Sequence, residues 1–192
     1  MKLKGKKIGL GITGSFCNFP RIPNIIKELQ NEGADIIPIF TTESQIYNTR
    51  FNDAQKFIND MEELTGHSAV LNIVEAEPLG PSNAIDIILI LPCTGNTLAK
   101  LAYAITDNAV LMATKSHLRN GKPVVLAIST NDALGMNAKN IGTLLASKNF
   151  YFVPFKQDAP DTKPNSLSFL SEKVVLALEY ALENKQLQPV IA

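Results

Sequence analysis

Short apolar segments alternate along this chain with segments of helical hydrophobic periodicity. The apolar segments have the length and the bounding turn residues of β-strands. They cover residues 6–12, 36–40, 70–74, 85–91, 123–128 and 151–153. Helical spacing predicts a first helix that ends near residue 33, then helices over 52–65, one or two up to 118, and helices over 137–147 and about 166–184.

This alternation of strands and helices predicts right-handed βαβ units around a parallel sheet. We therefore expect an α/β fold, a Rossmann-like (flavodoxin-like) three-layer arrangement. A chain of 192 residues that is 45% hydrophobic is long enough for one sizeable core. We expect a single domain over residues 1–192, with the terminal helix packed on it.

Composition excludes several classes of function. Lysine plus arginine and aspartate plus glutamate number 18 each, so no basic surface is expected for nucleic acid. No apolar run approaches the roughly 20 residues that span a bilayer, so no membrane contact is expected. Residues 1–7 lack the apolar segment of a signal peptide, and Cys17 and Cys93 are the only cysteines. Both features favour a cytoplasmic protein. Two histidines without clustered acids or cysteines predict no metal site.

The most informative segment follows the apolar run at 85–91. This run stops at Pro92 and is followed by the polar residues Thr94, Asn96 and Thr97, and then by a helical pattern. Ligands bind to open α/β sheets at the carboxyl ends of their strands. Gly95 would let a ligand approach the backbone. The segment therefore predicts a polar ligand site.

A second glycine-rich segment has two interpretations. Residues 9–14 match G-x-G-x-x-G, the dinucleotide fingerprint, but Gly9 and Gly11 lie inside the first strand rather than after it. The second strand is followed first by the hydroxyls of Thr41 and Thr42 rather than by an acid. Hydroxyls and a helix N-terminus suit the phosphate of a mononucleotide such as FMN better. The alternative is that Thr13 and Ser15 only cap a helix.

The stretch Pro92-Cys93-Thr94-Gly95-Asn96-Thr97-Leu98-Ala99-Lys100, followed by Asp107-Asn108, also resembles a family signature. It is similar to the Pro-Ala-(Ser/Thr)-x-Asn-(Thr)-(Ile/Leu)-x-Lys motif of the homo-oligomeric FMN-binding flavoproteins, a family of cysteine decarboxylases and flavin prenyltransferases. The resemblance covers roughly residues 6–150. It implies that the phosphate of FMN lies near the first two turns and that the flavin ring lies against the third. The implied cofactor-binding residues are Thr13, Gly14, Ser15, Phe16, Thr41, Thr42, Ser44, Cys93, Thr94, Gly95, Asn96 and Thr97.

Two of these residues have a structural alternative. Phe16 would cover the ring, although a single aromatic near a turn is more often part of a core. Cys93 would be either a reactive thiol beside a helix N-terminus or a small buried residue under the ligand. The sequence favours the second interpretation.

The chain departs from the decarboxylases at two places. Their catalytic histidine precedes the central strand by roughly eight residues, where this chain has Glu77-Pro78. Their Pro-Ala-Met-Asn motif is replaced by Ser129-Thr130-Asn131-Asp132. We interpret His67 as a surface turn residue and His117 as a capping or surface residue. Cysteine decarboxylation is therefore not expected, and any proton handling would fall to Glu77.

The resemblance is strongest to a two-component branch that serves sporulating bacteria. It implies a partner that is dehydrogenase-like and binds NADP, and a small dicarboxylate substrate that is oxidised in the mother-cell cytoplasm. Groups near the ring that suit a dicarboxylate are Lys100, Asn131 and Lys139. Two alternatives stay open, namely a free-standing FMN decarboxylase or prenyltransferase and a non-catalytic scaffold for the partner.

The family also implies a homo-oligomer, a trimer or a multiple of it. Residues Ile105, Val110, Leu111 and Met112 would supply a contact face, although burial within one chain explains them equally well.

Overall fold

A computed structural model describes residues 2–82 and 84–192, which form seven strands and eight α-helices. The strands are β1 (Lys7–Ile12), β2 (Asp35–Phe40), β3 (Ile87–Cys93), β4 (Val124–Thr130), β5 (Phe150–Phe152), β6 (Phe155–Gln157) and β7 (Leu167–Phe169). The helices are α1 (Ile22–Asn31), α2 (Thr42–Ile46), α3 (Ala54–Thr65), α4 (Ile73–Ala76), α5 (Gly95–Ala102), α6 (Ala109–Arg119), α7 (Ala138–Leu145) and α8 (Val174–Leu182).

The five principal strands are parallel and follow the order β2-β1-β3-β4-β5. This is the flavodoxin-like order, so the predicted α/β class is confirmed. The carboxyl ends of β1 and β3 are adjacent at the centre of the sheet, which is where open α/β sheets bind ligands.

The sheet is mixed because a hairpin extends it. β6 and β7 pair with each other, and β7 pairs antiparallel with the last two residues of β4, at Ser129↔Ser168 and Thr130↔Leu167. The hairpin therefore adds a wall at the ligand-binding end of β4.

The central strand β3 is buried on both faces. Leu89 and Leu91 pack into one core with α1, α3 and α8, whereas Ile88 and Ile90 pack into a second core with α5, α6 and α7. Every residue of β3 is buried, which explains why the strand has a continuous apolar sequence.

Three sequence predictions about elements are wrong, and two of them concern strands. Residues 70–74 do not form a strand: Val70 makes one bridge to Ile39, and Asn72 then caps α4 by accepting from the Glu75 amide. Strand β3 does not stop before Pro92 but continues to Cys93 after a register shift. A proline without an N–H is tolerated at such an irregularity.

The third wrong prediction concerns the terminal helix, which begins later than expected. The 166–184 prediction fails in its first part because Leu167–Phe169 is strand β7 and Ser171–Lys173 is a short 3₁₀ turn. Leu167 and Phe169 are buried while Ser168 is half-buried, a period of two that suits a strand. Among the described residues, no helix is long and apolar enough to cross a membrane.

His117 is buried, with 3% of its surface exposed, so the capping or surface interpretation is wrong. Its Nε2 lies 3.1 Å from the Pro123 carbonyl oxygen. Burial, together with the nearby charge of Lys122, lowers the pKa of His117 to about 4. The imidazole is therefore neutral in the folded protein near neutral pH.

This burial predicts a loss of stability in acid. In the unfolded chain His117 binds a proton near pH 6.5, whereas in the folded state it binds one only near pH 4. Stability from this group is thus full above pH 6.5 and falls by roughly 2–3 kcal/mol as the pH drops to about 4.5. Urea unfolding of His117→Gln should show a flatter pH dependence than the wild type between about pH 6.5 and pH 4.5. Equal slopes for wild type and His117→Gln would contradict this assignment.

Candidate functional site

The first and third turns are joined through a single threonine. Thr13 is fully buried at the end of β1, and its Oγ1 donates to the Pro92 carbonyl oxygen at 2.6 Å. The same Oγ1 accepts from the Thr94 amide at 3.2 Å. Thr13 therefore holds the two turns together and does not face a ligand.

The second turn uses its hydroxyls internally. Ser44 is fully buried, with Oγ 2.8 Å from the Thr41 carbonyl oxygen and 3.1 Å from the Ile12 carbonyl oxygen. The Thr41 Oγ1 lies 3.1 Å from the same Ser44 Oγ. Thr42 is exposed and lines a separate depression beside Asn72. The expectation that all three hydroxyls meet one phosphate is not met, because Ser44 is occupied and Thr42 faces away.

A cleft with two lobes lies at the carboxyl ends of β1, β3 and β4. One, the Phe16 lobe, has a volume of about 310 Å³ and is lined by Gly14, Phe16, Thr41, Glu43, Tyr47, Thr94, Asn96 and Thr97. The other, the Ser129 lobe, has about 410 Å³ and is lined by Gly14, Ser15, Cys17, Asn18, Arg21, Thr94, Ser129, Thr130, Asn131, Asp158, Lys163, Ser166 and Ser168. Gly14 and Thr94 line both, so the lobes adjoin at the first and third turns.

The Phe16 lobe combines aromatic and amide groups. The Phe16 ring packs against Phe19 with centroids 5.2 Å apart, and Tyr47 is 54% exposed at the lobe. Thr94 caps α5 by accepting from the Thr97 amide, while Asn96 is exposed. Glu43 places a carboxylate in the same lobe. The arrangement suits a flat ring edged by polar atoms more than it suits a highly charged anion.

The Ser129 lobe is polar and carries two cations. The Asn18 amide nitrogen donates to Ser15 Oγ at 2.9 Å and to Ser129 Oγ at 2.7 Å. Arg21 and Lys163 also line the lobe, and Lys163 lies 3.9 Å from the carboxylate of Asp158. The lobe thus has more positive than negative groups and is suited to anions.

Gly95 has a different role from the one predicted. A Cβ there would lie 2.5 Å from the Asn137 amide nitrogen and 2.7 Å from oxygens of Asp132 and Thr130. Those three side chains are hydrogen-bonded through Asp132, at 2.6 Å to Thr130 and 2.7 Å to Asn137. Gly95 therefore makes room for the loop after β4 rather than for a ligand.

Cys93 is fully buried in the second core, and burial raises the pKa of its thiol well above the usual range. The reactive-thiol interpretation is wrong, since a thiol that stays protonated is a poor nucleophile. Cys93 lines neither lobe and is a small core residue.

Only one of the three suggested substrate residues reaches the cleft. Asn131 lines the Ser129 lobe and accepts from Ser166 Oγ at 3.3 Å. Lys100 instead pairs with Asp107 at 2.7 Å, and the Lys139 ammonium lies 5.8 Å from the ring centroid of Tyr103. Neither lysine lines a lobe.

Two further features bear on chemistry outside the cleft. Glu77 is exposed and lines a small depression beside Ser116 and Arg119, so it is not placed for chemistry in either lobe. Within residues 2–82 and 84–192, no three acids, histidines or cysteines come together in a way that could hold a metal ion.

The chain belongs to the Flavoprotein family, whose model matches residues 1–171. Within it, the chain is 48% identical to the B subunit of dipicolinate synthase from Bacillus subtilis (strain 168), over 98% of this chain and 94% of that protein. A crystal structure of the corresponding dipicolinate synthase protein from Bacillus halodurans C superposes with a TM-score of 0.91 and 44% identity, over 100% of this chain and 98% of that one. The FMN-dependent cysteine decarboxylase SpaF shares the fold, with a TM-score of 0.71 and 22% identity over 94% and 97% of the two chains. The resemblance inferred from the third turn is confirmed.

Proposed function

We propose that this chain is the B subunit of a dipicolinate synthase and acts with the NADP-binding A subunit, its partner. The observation that carries the proposal is 48% identity to such a protein over 98% of the chain, combined with a cationic lobe suited to a dicarboxylate. In this role, the pair oxidises a dihydrodipicolinate-type precursor to pyridine-2,6-dicarboxylate during sporulation, in the cytoplasm of the mother cell. The hydride leaves to the nicotinamide held by the partner and a proton leaves to solvent, which together complete the two-electron oxidation.

The residues of the Phe16 lobe fit FMN as a cofactor. Phe16 and Tyr47 offer aromatic faces, and the Asn96 amide can both donate to and accept from the polar edge of a flavin. A bound flavin supplies a two-electron acceptor with a planar ring. We propose that Gly14, Ser15 and the Thr94–Thr97 turn hold it, with Phe16 against the ring.

Cysteine decarboxylation fits the chain less well. The position of the catalytic histidine is taken by Glu77-Pro78, and Glu77 lies away from both lobes. No residue at that position is therefore placed to handle a proton in the cleft. The free-standing decarboxylase and the non-catalytic scaffold are retained as outcomes of the experiment below.

We also propose that the chain self-associates. The predicted contact face is only partly buried: Val110 and Leu111 are each 1% exposed and pack inside the chain, whereas Ile105 is 44% exposed. A second candidate face lies around α2 and α4: residues of both helices line one depression, and Ile46 and Val74 are 59% and 81% exposed. Exposed apolar residues that lie together favour a protein interface.

The decisive experiment reconstitutes the reaction from the two purified proteins. We expect the NADP-binding partner, given NADP and precursor, to form pyridine-2,6-dicarboxylate at least roughly tenfold faster when this chain is added, because the chain contributes part of the site. This chain alone should release no carbon dioxide from phosphopantothenoylcysteine or from a peptidyl-cysteine. A full rate from the partner without this chain would refute a catalytic role and favour the scaffold.

A further inference from the structure

Apart from Gly14, Ser15 and Thr94, which it shares with the proposed FMN site, the Ser129 lobe holds charges and donors that the proposed cofactor does not use. We propose that it is a carboxylate-binding subsite for a planar dicarboxylate, in which Arg21 selects ligands that carry a second carboxylate. This deepens the proposed function and rests on it for the identity of the substrate.

Arg21 is the first element of the subsite. It ends the 3₁₀ turn Phe16–Arg21 that follows β1, is exposed, and lines the lobe. Within residues 2–82 and 84–192 it forms no salt bridge, whereas Lys163 lies 3.9 Å from Asp158. A guanidinium that is not already paired can bind a carboxylate through two parallel hydrogen bonds.

A hydroxyl pair fixed by Asn18 is the second element. Asn18 is 5% exposed and uses its amide hydrogens on Ser15 Oγ and Ser129 Oγ, which lie 3.1 Å apart. Both oxygens thus act as acceptors, and only one of their two protons can lie between them. A free Ser15 O–H has the Cys17 Sγ as a possible acceptor at 3.8 Å. When Ser15 instead donates to Ser129 Oγ, the Ser129 O–H is left to donate into the lobe. It would meet one carboxylate while Arg21 meets the other.

The hairpin β6–β7 and its loop supply a further part of the lining. This loop carries Lys163 and is fixed to the loop after β4 by the Leu134 amide, which donates to the Asn165 carbonyl oxygen at 3.0 Å. Ser166 makes a second tie to Asn131. A volume of about 410 Å³ is that of a small-molecule site. The lobe is therefore lined by two cations, Arg21 and Lys163, from distant parts of the chain.

Calorimetry on the purified chain tests the subsite with two probes, pyridine-2,6-dicarboxylate and pyridine-2-carboxylate. The wild type should bind the diacid more tightly than the monoacid. Arg21→Gln should weaken the diacid roughly 10- to 100-fold and the monoacid less than about threefold, because only the second carboxylate loses its partner. Arg21→Lys should restore part of the affinity, and Lys163→Gln should weaken the diacid by a smaller factor.

Arg50→Gln is the matched control, because Arg50 lies over the Phe51 ring and lines neither lobe. It should bind both acids as the wild type does. Wild-type failure to bind the diacid, or equal diacid affinity in the wild type and Arg21→Gln, would overturn the subsite. Product formation in the reconstituted enzyme is measured separately, so the subsite can fail while the proposed function stands. If this chain binds the diacid but the NADP-binding partner reaches its full rate without it, the proposed function fails and the subsite stands.

Discussion

Ser15→Asp should abolish FMN binding, with an affinity at least roughly 100-fold below that of the wild type. Ser15 follows Gly14, where the two lobes adjoin, and its hydroxyl is held by Asn18 and Ser129. The substitution places a carboxylate beside the proposed phosphate position, where the two negative charges repel in a partly buried cleft. Flavin fluorescence titration of purified protein measures the change.

Ser15→Asn is the control for size, since asparagine is isosteric with aspartate and uncharged. It should retain most of the FMN affinity if charge is the cause.

Glu43→Gln tests the same electrostatics in the opposite direction, because Glu43 lines the Phe16 lobe and would repel a phosphate placed by the resemblance near Thr41. It should tighten FMN binding by roughly 3- to 10-fold. Unchanged affinity in Ser15→Asp would place the phosphate elsewhere.

The order of the elements can be predicted from the sequence because local patterns determine it. β3 is apolar on both faces and therefore forms a continuous apolar run, and α3 shows a clear inward stripe of Phe57, Ile58 and Met61. β7 is not predicted by the sequence, because its three residues are followed by the longer helical pattern of α8 and are too few to show a strand period of their own. Its pairing with Ser129 and Thr130 is a contact between distant segments, which no local period reveals.

The same distinction separates the site residues. The turn at Thr94 and Asn96 is predictable because it follows a strong strand and carries a recognisable motif. Arg21 and Lys163 are not, since one is a single exposed arginine and the other lies in a proline-containing loop more than a hundred residues away. Only the hairpin brings them to one lobe. Lys100 has a suitable position on a helix, but its charge is engaged by Asp107.

The hydroxyls at the first two turns could be located from the sequence, but their hydrogen-bond partners could not. Thr13, Thr41 and Ser44 occupy turns where a phosphate would be expected, yet each hydroxyl is used to fix the turns internally or to one another. Sequence identifies hydroxyls near a ligand but does not show which of them are already bonded. Fixed turns still benefit the site, because donors held in place before binding lose less entropy when the ligand arrives.

Gly95→Ala should destabilise the fold by about 1–3 kcal/mol and weaken ligand binding in the Ser129 lobe at least roughly tenfold. The added Cβ would lie 2.5–2.7 Å from Asn137, Asp132 and Thr130. Asp132 accepts hydrogen bonds from Thr130 and Asn137, and Asn137 in turn accepts from Asn140. Because these side chains are bonded to one another, none of them can move aside alone to make room for the added Cβ. The loop that carries Asn131 must shift instead. Urea unfolding and diacid calorimetry measure the two effects.

Gly142→Ala is the matched substitution, because Gly142 also lies in a helix and a Cβ there meets nothing within 4 Å. It should stabilise the fold by roughly 0.5–1 kcal/mol through helix propensity and leave diacid binding unchanged. The two alanines therefore act in opposite directions, although helix propensity alone favours both. If Gly95→Ala were as stable as Gly142→Ala and bound the diacid normally, the contact between the third turn and the loop after β4 would not constrain the site. Loss of diacid affinity with little loss of stability would show that the crowding is relieved by moving the Asn131 loop alone.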